Sequence, residues 1–307
     1  MRPVVAALAA LLAVAPAGVP GQARPGAWVD AVLPVARPAE PGPVVAIPVT
    51  LPRANPAREA WAQQTRDQRL AYNIAAPQLV RYPSALPDDR VAPAVLVVPG
   101  GGFQFLAMDN EGYDVARRLD RLGLRVFIVK YRTLPLPDRF DGFKAALAAL
   151  FQRGERPASD NRPFAVADTQ SALRLVRAQA AEWRVDPARI GMIGFSAGAV
   201  TALGAAQANA VDARADFLAL IYGPTELAAV PPNAPPMFAA IAADDRFFRA
   251  QDLGLIHAWR RSGASVELHL YSGGGHGFAS QPNGTTSDAW FDQFGLWLRV
   301  GGIIAAR

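Results

Sequence analysis

Short apolar runs recur along this chain, and stretches of helical spacing separate them. No other feature constrains the fold as tightly. Ala94 to Pro99 (AVLVVP), Leu124 to Tyr131 (LRVFIVKY), Ile190 to Phe195, Phe217 to Tyr222 and Met237 to Ala242 are continuous enough to be strands covered on both faces. Leu79 to Tyr82, closed by Pro83, reads as an early strand, and Ser265 to Tyr271 as a late, alternating one. Helical patterns fall at Tyr113 to Leu122, Ala167 to Trp183, Ala197 to Ala208, Phe248 to Ser262 and Ala289 to Val300. Strands alternating with helices require βαβ crossovers, so the expected fold is α/β, a doubly wound, mostly parallel sheet of about eight strands with helices on both faces. With no internal repeat and no second core, residues 69–307 form one expected domain.

The N-terminus follows other rules. Arg2 precedes an apolar run, Val4 to Ala15, and then a small-residue region with A-x-A-like sites ending at Ala17 and Ala23. A positive start, a short apolar middle and a small-residue cut site mark a secretory signal, expected over residues 1–23. Its apolar run is well short of the about 20 residues that cross a bilayer. The expected product is secreted or periplasmic, with no membrane insertion once the signal is removed. Residues 24–68 are Pro- and Ala-rich without a sustained period and read as an irregular arm.

Composition removes several classes of function. The chain has no cysteine, which excludes disulfides, thiolate metal sites and a cysteine nucleophile. Its net charge of +5 comes almost wholly from arginine, spread singly or in pairs (Arg117-Arg118, Arg260-Arg261) with no basic run or aromatic stripe. Nucleic-acid binding is therefore not expected.

Gly194-Phe195-Ser196-Ala197-Gly198 fits G-x-S-x-G between an apolar strand and a helical segment of small residues. That setting exposes a serine hydroxyl on a sharp strand-to-helix turn, with the first N–H groups of the helix beside it. Pro99-Gly100-Gly101-Gly102-Phe103 closes the AVLVVP strand. Three consecutive glycines carry an entropic cost, and close approach of bare peptide N–H groups to an oxygen is a reason to bear it.

Of the three histidines, His257 lies in a helical run, and His269 alternates with Val266, Leu268 and Leu270, so it points away from that apolar face. Both read as structural. His276 sits in a glycine-rich loop (GGGHGF) after the last strand, at the sheet edge where α/β chemistry gathers, and is the expected base for Ser196. Asp244-Asp245 follows another strand end. One of the two is expected to orient the imidazole and the other to cap the following helix.

These segments, with PGGGFQFLAMDNEGYDVARRL, WRVDPARIGMIGFSAG, AADDRFF and LHLYSGGGHGF in order, resemble the α/β-hydrolases of the esterase/lipase group, and within it the acetylxylan-esterase-like carbohydrate esterases. The resemblance implies Ser196 as nucleophile, His276 as base and Asp245, the second of the pair, as the acid. It also implies an oxyanion hole from the N–H groups of Gly101, Gly102 and Ala197. Pro99 stands where hormone-sensitive-lipase-like relatives carry histidine. Residues 134–163 are longer than a plain crossover needs and read either as a small cap or as a surface excursion.

The expected activity is hydrolysis of short-chain acyl esters, O-acetyl groups on carbohydrate foremost, through an acyl-enzyme with no metal or cofactor. The partner is a small-molecule or oligosaccharide ester. A serine peptidase of the prolyl-oligopeptidase type and a non-catalytic binding protein of the same fold are the alternatives.

Overall fold

In the computed structural model the described residues are 27–53, 56–65, 67–137, 139–153 and 160–305. The expected signal segment, 1–23, lies outside them. Twelve strands and six α-helices follow in chain order. They are β1 (Leu33–Val35), β2 (Val44–Ala46), β3 (Ala60–Thr65), β4 (Gln68–Tyr72), β5 (Gln78–Arg81), β6 (Ala92–Val98), β7 (Phe105–Ala107), α1 (Asp114–Arg121), β8 (Arg125–Lys130), α2 (Phe140–Arg153), α3 (Arg162–Ala178), β9 (Val185–Phe195), α4 (Ala197–Gln207), β10 (Leu218–Ile221), β11 (Met237–Ala242), α5 (Gly254–Arg261), β12 (Val266–Tyr271) and α6 (Trp290–Val300).

The main sheet has eight strands in the order β12-β11-β10-β9-β6-β8-β5-β2. From β12 to β8 every neighbouring pair is parallel, and β5 and β2 add antiparallel pairs at one edge. The continuous apolar runs are its middle strands: all seven residues of β6 and all six of β11 are buried. Burial on both faces is what a doubly covered parallel sheet demands. Adjacent residues of β9 show the two faces. Phe195 packs edge-on against Trp290 of α6, whereas a Cβ on Gly194 would run into Gly198 and Ala199 of α4. On the α6 face, Arg118 of α1 lies over the ring of Phe291 at 3.9 Å; on the other, α3 packs on α4.

Strand order reverses between β6 and β9. From β6 the chain proceeds to β8 on one side, and from β9 to β10 on the other. Such a switch point leaves a crevice at the carboxyl ends of the strands. Val98 is in register with Gly194, so the glycine loop after β6 and the serine turn after β9 open into the same crevice.

The irregular arm expected over 24–68 is corrected by the structure. Its β2 pairs with β5, and β1 and β3 join β4 and β7 in a separate antiparallel sheet of order β1-β3-β4-β7. Strands of three to six residues with mixed polarity carry too little period to be read from sequence, and burial comes from what they meet. Trp61 is 2% exposed. The wholly buried ammonium of Lys130 reaches Glu40 at 2.9 Å and Glu59 at 2.8 Å, and Arg132 Nη1 donates to the carbonyl of Leu51 at 2.8 Å. The buried Lys130 cation draws the arm's two carboxylates onto the domain, while Arg132, already paired with Asp168 at 2.6 Å, adds a hydrogen bond to the arm backbone.

The 134–163 segment is settled in part. Its helix α2 packs Phe143 against Tyr72 of β4, ring centroids 4.0 Å apart, and buries Leu147 with it. This helix forms a wall on the second sheet rather than a surface excursion.

Candidate active site

Ser196 stands between β9 and α4 with φ 52° and ψ −119°. A non-glycine residue in this region stores roughly 1–3 kcal/mol of strain, held only when its surroundings over-determine it. They do so through its neighbours: a Cβ on Gly198 would lie 1.9 Å from the carbonyl oxygen of Val98, and one on Gly194 2.4 Å from that of Gly198. The pentapeptide therefore needs both glycines because β6 and α4 close on the turn from two sides.

His276 bridges the site. Its Nε2 is 2.8 Å from Ser196 Oγ, and its Nδ1 is 2.8 Å from Asp245 Oδ2. Asp245 is fully buried, and its other oxygen accepts the N–H of Phe247 at 2.9 Å, which locks the carboxylate. Three residues from three strand ends thus form one chain of hydrogen bonds, with the resemblance's choice of Asp245 over Asp244. Asp244 does not cap the next helix as expected. Its Oδ1 accepts the N–H of Gly275 at 2.8 Å and braces the histidine loop. Aromatic rings confine the imidazole: Phe247, Tyr222 and Phe248 have centroids 4.7, 4.9 and 5.7 Å away.

The other two histidines do not line the pocket. His257 lies exposed on α5. His269 bonds Glu267 at 2.7 Å and packs on Phe238, 5.1 Å between centroids. On the face opposite His269, Val266 and Leu268 are half-buried but Leu270 is 55% exposed, so the apolar face is covered only in part.

Gly101 (φ 136°) and Gly102 (φ 59°) adopt backbone that favours glycine. Both line a pocket of about 520 Å³ together with Ser196, Ala197 and His276. Ala197 opens α4, where the first N–H groups have no partner within the helix. Gly100 plays another part, its N–H donating to Glu111 Oε2 at 2.5 Å. Leu150 and Phe151 of α2 form the apolar wall, and Gln64 and Gln68 of the second sheet the polar one. Gln68 Nε2 is buried without a hydrogen-bond partner among the described residues.

Three consecutive polar residues missed by sequence reasoning support the site. They lie in a π-helical turn, Met108–Tyr113. Asp109 accepts three hydrogen bonds from Arg69 of β4, from its backbone N–H at 2.6 Å and from its guanidinium. Asn110 donates to the carbonyl of Gly277 and accepts from Ser280, holding the histidine loop. Glu111 accepts from Gly100 and, at 2.8 Å, from the hydroxyl of Tyr222. Burial pushes the Glu111 carboxyl above the usual range, while those two donors and His276 pull it back. A signal was present: three polar residues in a row, Asp109-Asn110-Glu111, between an apolar stretch after the glycine loop and the helical pattern that starts at Tyr113.

Among the described residues no group of three or more His, Asp or Glu side chains could hold a metal ion, and no helix is long and apolar enough to cross a membrane.

The sequence model of the dienelactone hydrolase family matches residues 139–296. An acetylxylan esterase of Xylanibacter ruminicola is 25% identical over 248 residues, covering 70% of this chain and 47% of that protein. The chain thus spans about half the length of the curated relative it matches. Among solved structures, an acetyl ester-xyloside bifunctional hydrolase from Caldicellulosiruptor lactoaceticus superposes with a TM-score of 0.58 at 23% identity, over 75% of this chain and 90% of that one. A carboxylesterase from Lactobacillus plantarum gives 0.59 at 18%, over 78% and 98%. These structures share the α/β-hydrolase fold.

Proposed function

The chain belongs to the dienelactone hydrolase family of the α/β-hydrolase superfamily, and we propose that it is a serine carboxylesterase acting on short acyl esters, O-acetyl groups on carbohydrate foremost. The observation that carries this reading is His276, with one ring nitrogen 2.8 Å from Ser196 Oγ and the other 2.8 Å from buried Asp245.

Ser196 Oγ attacks the ester carbonyl as its proton passes to His276 Nε2. Asp245 holds Nδ1 protonated, so Nε2 is the nitrogen free to accept, and it stabilises the imidazolium that forms. Negative charge on the carbonyl oxygen develops against the N–H groups of Gly101, Gly102 and Ala197, and losing one such donor costs about 3 kcal/mol of transition-state stabilisation. His276 then protonates the departing alkoxide, and water repeats the sequence on the acyl-enzyme.

Leu150 supports a short acyl group. Its Cδ2 would be only 2.8 Å from a Cβ on Gly102, so it stands directly against the loop beside the acyl carbon. Gln64 and Gln68 support a hydroxyl-rich alcohol, because their amide side chains form the polar wall of the pocket and can exchange hydrogen bonds with sugar hydroxyls. The acetylxylan esterase relative is named for such a substrate. Export, with removal of residues 1–23, is part of the same reading, and N-terminal sequencing of protein from the natural host checks it.

The test compares release of acetate from acetylated xylo-oligosaccharides with hydrolysis of p-nitrophenyl acetate, p-nitrophenyl octanoate and an acyl anilide. The expected result is turnover of the two acetates, octanoate at least tenfold slower, and no anilide cleavage. Anilide cleavage at a rate matching the acetates would favour a peptidase, and no turnover of any ester would end the proposal.

A further inference from the structure

Glu111 takes part in none of these steps, yet it lies at the centre of the site. It is 5% exposed, and a carboxylate so placed is costly unless specific donors meet it. Both its oxygens are met: Oε2 accepts from Gly100 N–H at 2.5 Å and Oε1 from Tyr222 O–H at 2.8 Å. Packing around Gly100 is equally tight. A Cβ there would lie 2.5 Å from the carbonyl oxygen of Phe195, 2.7 Å from Ser196 Cβ and 2.9 Å from Glu111 Oε2.

We propose that Glu111 is a positioning residue of the reaction, holding the oxyanion loop through Gly100 and the imidazole of His276 through Tyr222. This inference rests on the serine-hydrolase reading above. Gly100 immediately precedes the two glycines whose N–H groups face the oxyanion, so fixing its peptide fixes where theirs begin. Tyr222 stands edge-on to His276, centroids 4.9 Å apart, and edge-on to Phe278 at the same distance, so anchoring its hydroxyl anchors the wall behind the base. Glu111 itself has little freedom, since the two residues before it, Asp109 and Asn110, are tied to Arg69 and to the histidine loop. The charged and titratable groups around it are His276, Tyr222 and Tyr131, whose hydroxyl donates to the carbonyl of Pro99 at 2.8 Å, with Asp245 beyond Tyr222.

Glu111→Asp and Glu111→Gln separate positioning from a bulk structural role. Aspartate keeps the charge but withdraws the oxygens from Gly100; glutamine keeps the length and one acceptor oxygen. Misplacement by about 1 Å can cost on the order of a hundredfold in rate. The expected result is a fall in kcat for p-nitrophenyl acetate of at least tenfold in Glu111→Asp with KM within threefold, and recovery to within about fivefold of wild type in Glu111→Gln. Rates are normalised to folded protein measured by circular dichroism. The rate of Ser196 labelling by a fluorophosphonate, read in the same three proteins, should fall and recover in the same order.

Wild-type protein that is labelled but turns over no ester would overturn the esterase reading while the labelling series still tests Glu111. Aspartate within twofold of wild type in both assays would overturn the inference. So would a loss confined to KM, or equal losses in aspartate and glutamine variants.

Discussion

Asp245 and His276 meet at 2.8 Å through Oδ2 and Nδ1, and Asp245 buries its entire side chain to do so. A carboxylate can only accept there, so the imidazole must carry its proton on Nδ1 and present Nε2 bare to Ser196. Asp245→Asn lets an amide donate to Nδ1 and reverses the tautomer. The expected loss in kcat is about 10⁴-fold with the fold retained. Asp244→Asn, which only weakens the brace on Gly275, should lose less than about tenfold, within one charge-assisted hydrogen bond. Steady-state kinetics on the two variants check this, and equal losses would contradict the assignment.

Gly198→Ala should be far more damaging than an added methyl suggests. The new Cβ would sit 1.9 Å from a carbonyl oxygen of β6, a backbone atom that cannot rotate away. A loss above about 3 kcal/mol is expected, in the range of severe core strain. Urea denaturation measures it, and a loss under 1 kcal/mol would contradict the packing described.

Lys130→Met should release the arm. It leaves Glu40 and Glu59 without the buried cation between them, and breaking one side of such a pair costs about 3–5 kcal/mol. Limited proteolysis should then cut within residues 27–59 before the rest of the domain. An unchanged denaturation midpoint would contradict this.

The pH dependence of stability should bear the mark of Glu111. Its carboxyl titrates above the ordinary value of 4.5 in the folded protein because burial disfavours the charge. Between the unfolded and the folded value the native state binds the extra proton, so stability falls as pH rises through that window. Glu111→Gln removes this term. Compared with wild type, the variant should gain in melting temperature as pH rises above the ordinary carboxylate value, with the relative gain absent at pH 4. A difference independent of pH would contradict the assignment.

The middle of the sheet was legible in the sequence for a physical reason. Strands such as β6 and β11 are buried on both faces, so they are apolar without interruption, and Met237–Ala242 was read to the residue. The serine turn was legible because its pentapeptide sits between an apolar strand and a small-residue helix; Gly194 is forced by Gly198 and Ala199 close by, although Gly198 is forced by the distant carbonyl of Val98. The second sheet was not. In β3 the sequence AWAQQT mixes core and pocket positions; it pairs β4 across a short turn, but β1 and β7 join the two only by longer-range pairing. Glu111 was overlooked for a related reason. An acid near the start of a helical pattern reads as solvent-facing, and only the meeting of Gly100 and Tyr222 around it gives it an interior place.

The central claim is that Ser196 carries the acyl group. Turnover of p-nitrophenyl acetate is stopped with acid during the first cycle, and the digested protein is analysed by mass spectrometry. An acetyl group on the peptide holding Ser196, with no p-nitrophenol burst from Ser196→Ala, is the predicted result. A burst of equal size from both proteins, with that peptide unmodified, would contradict it.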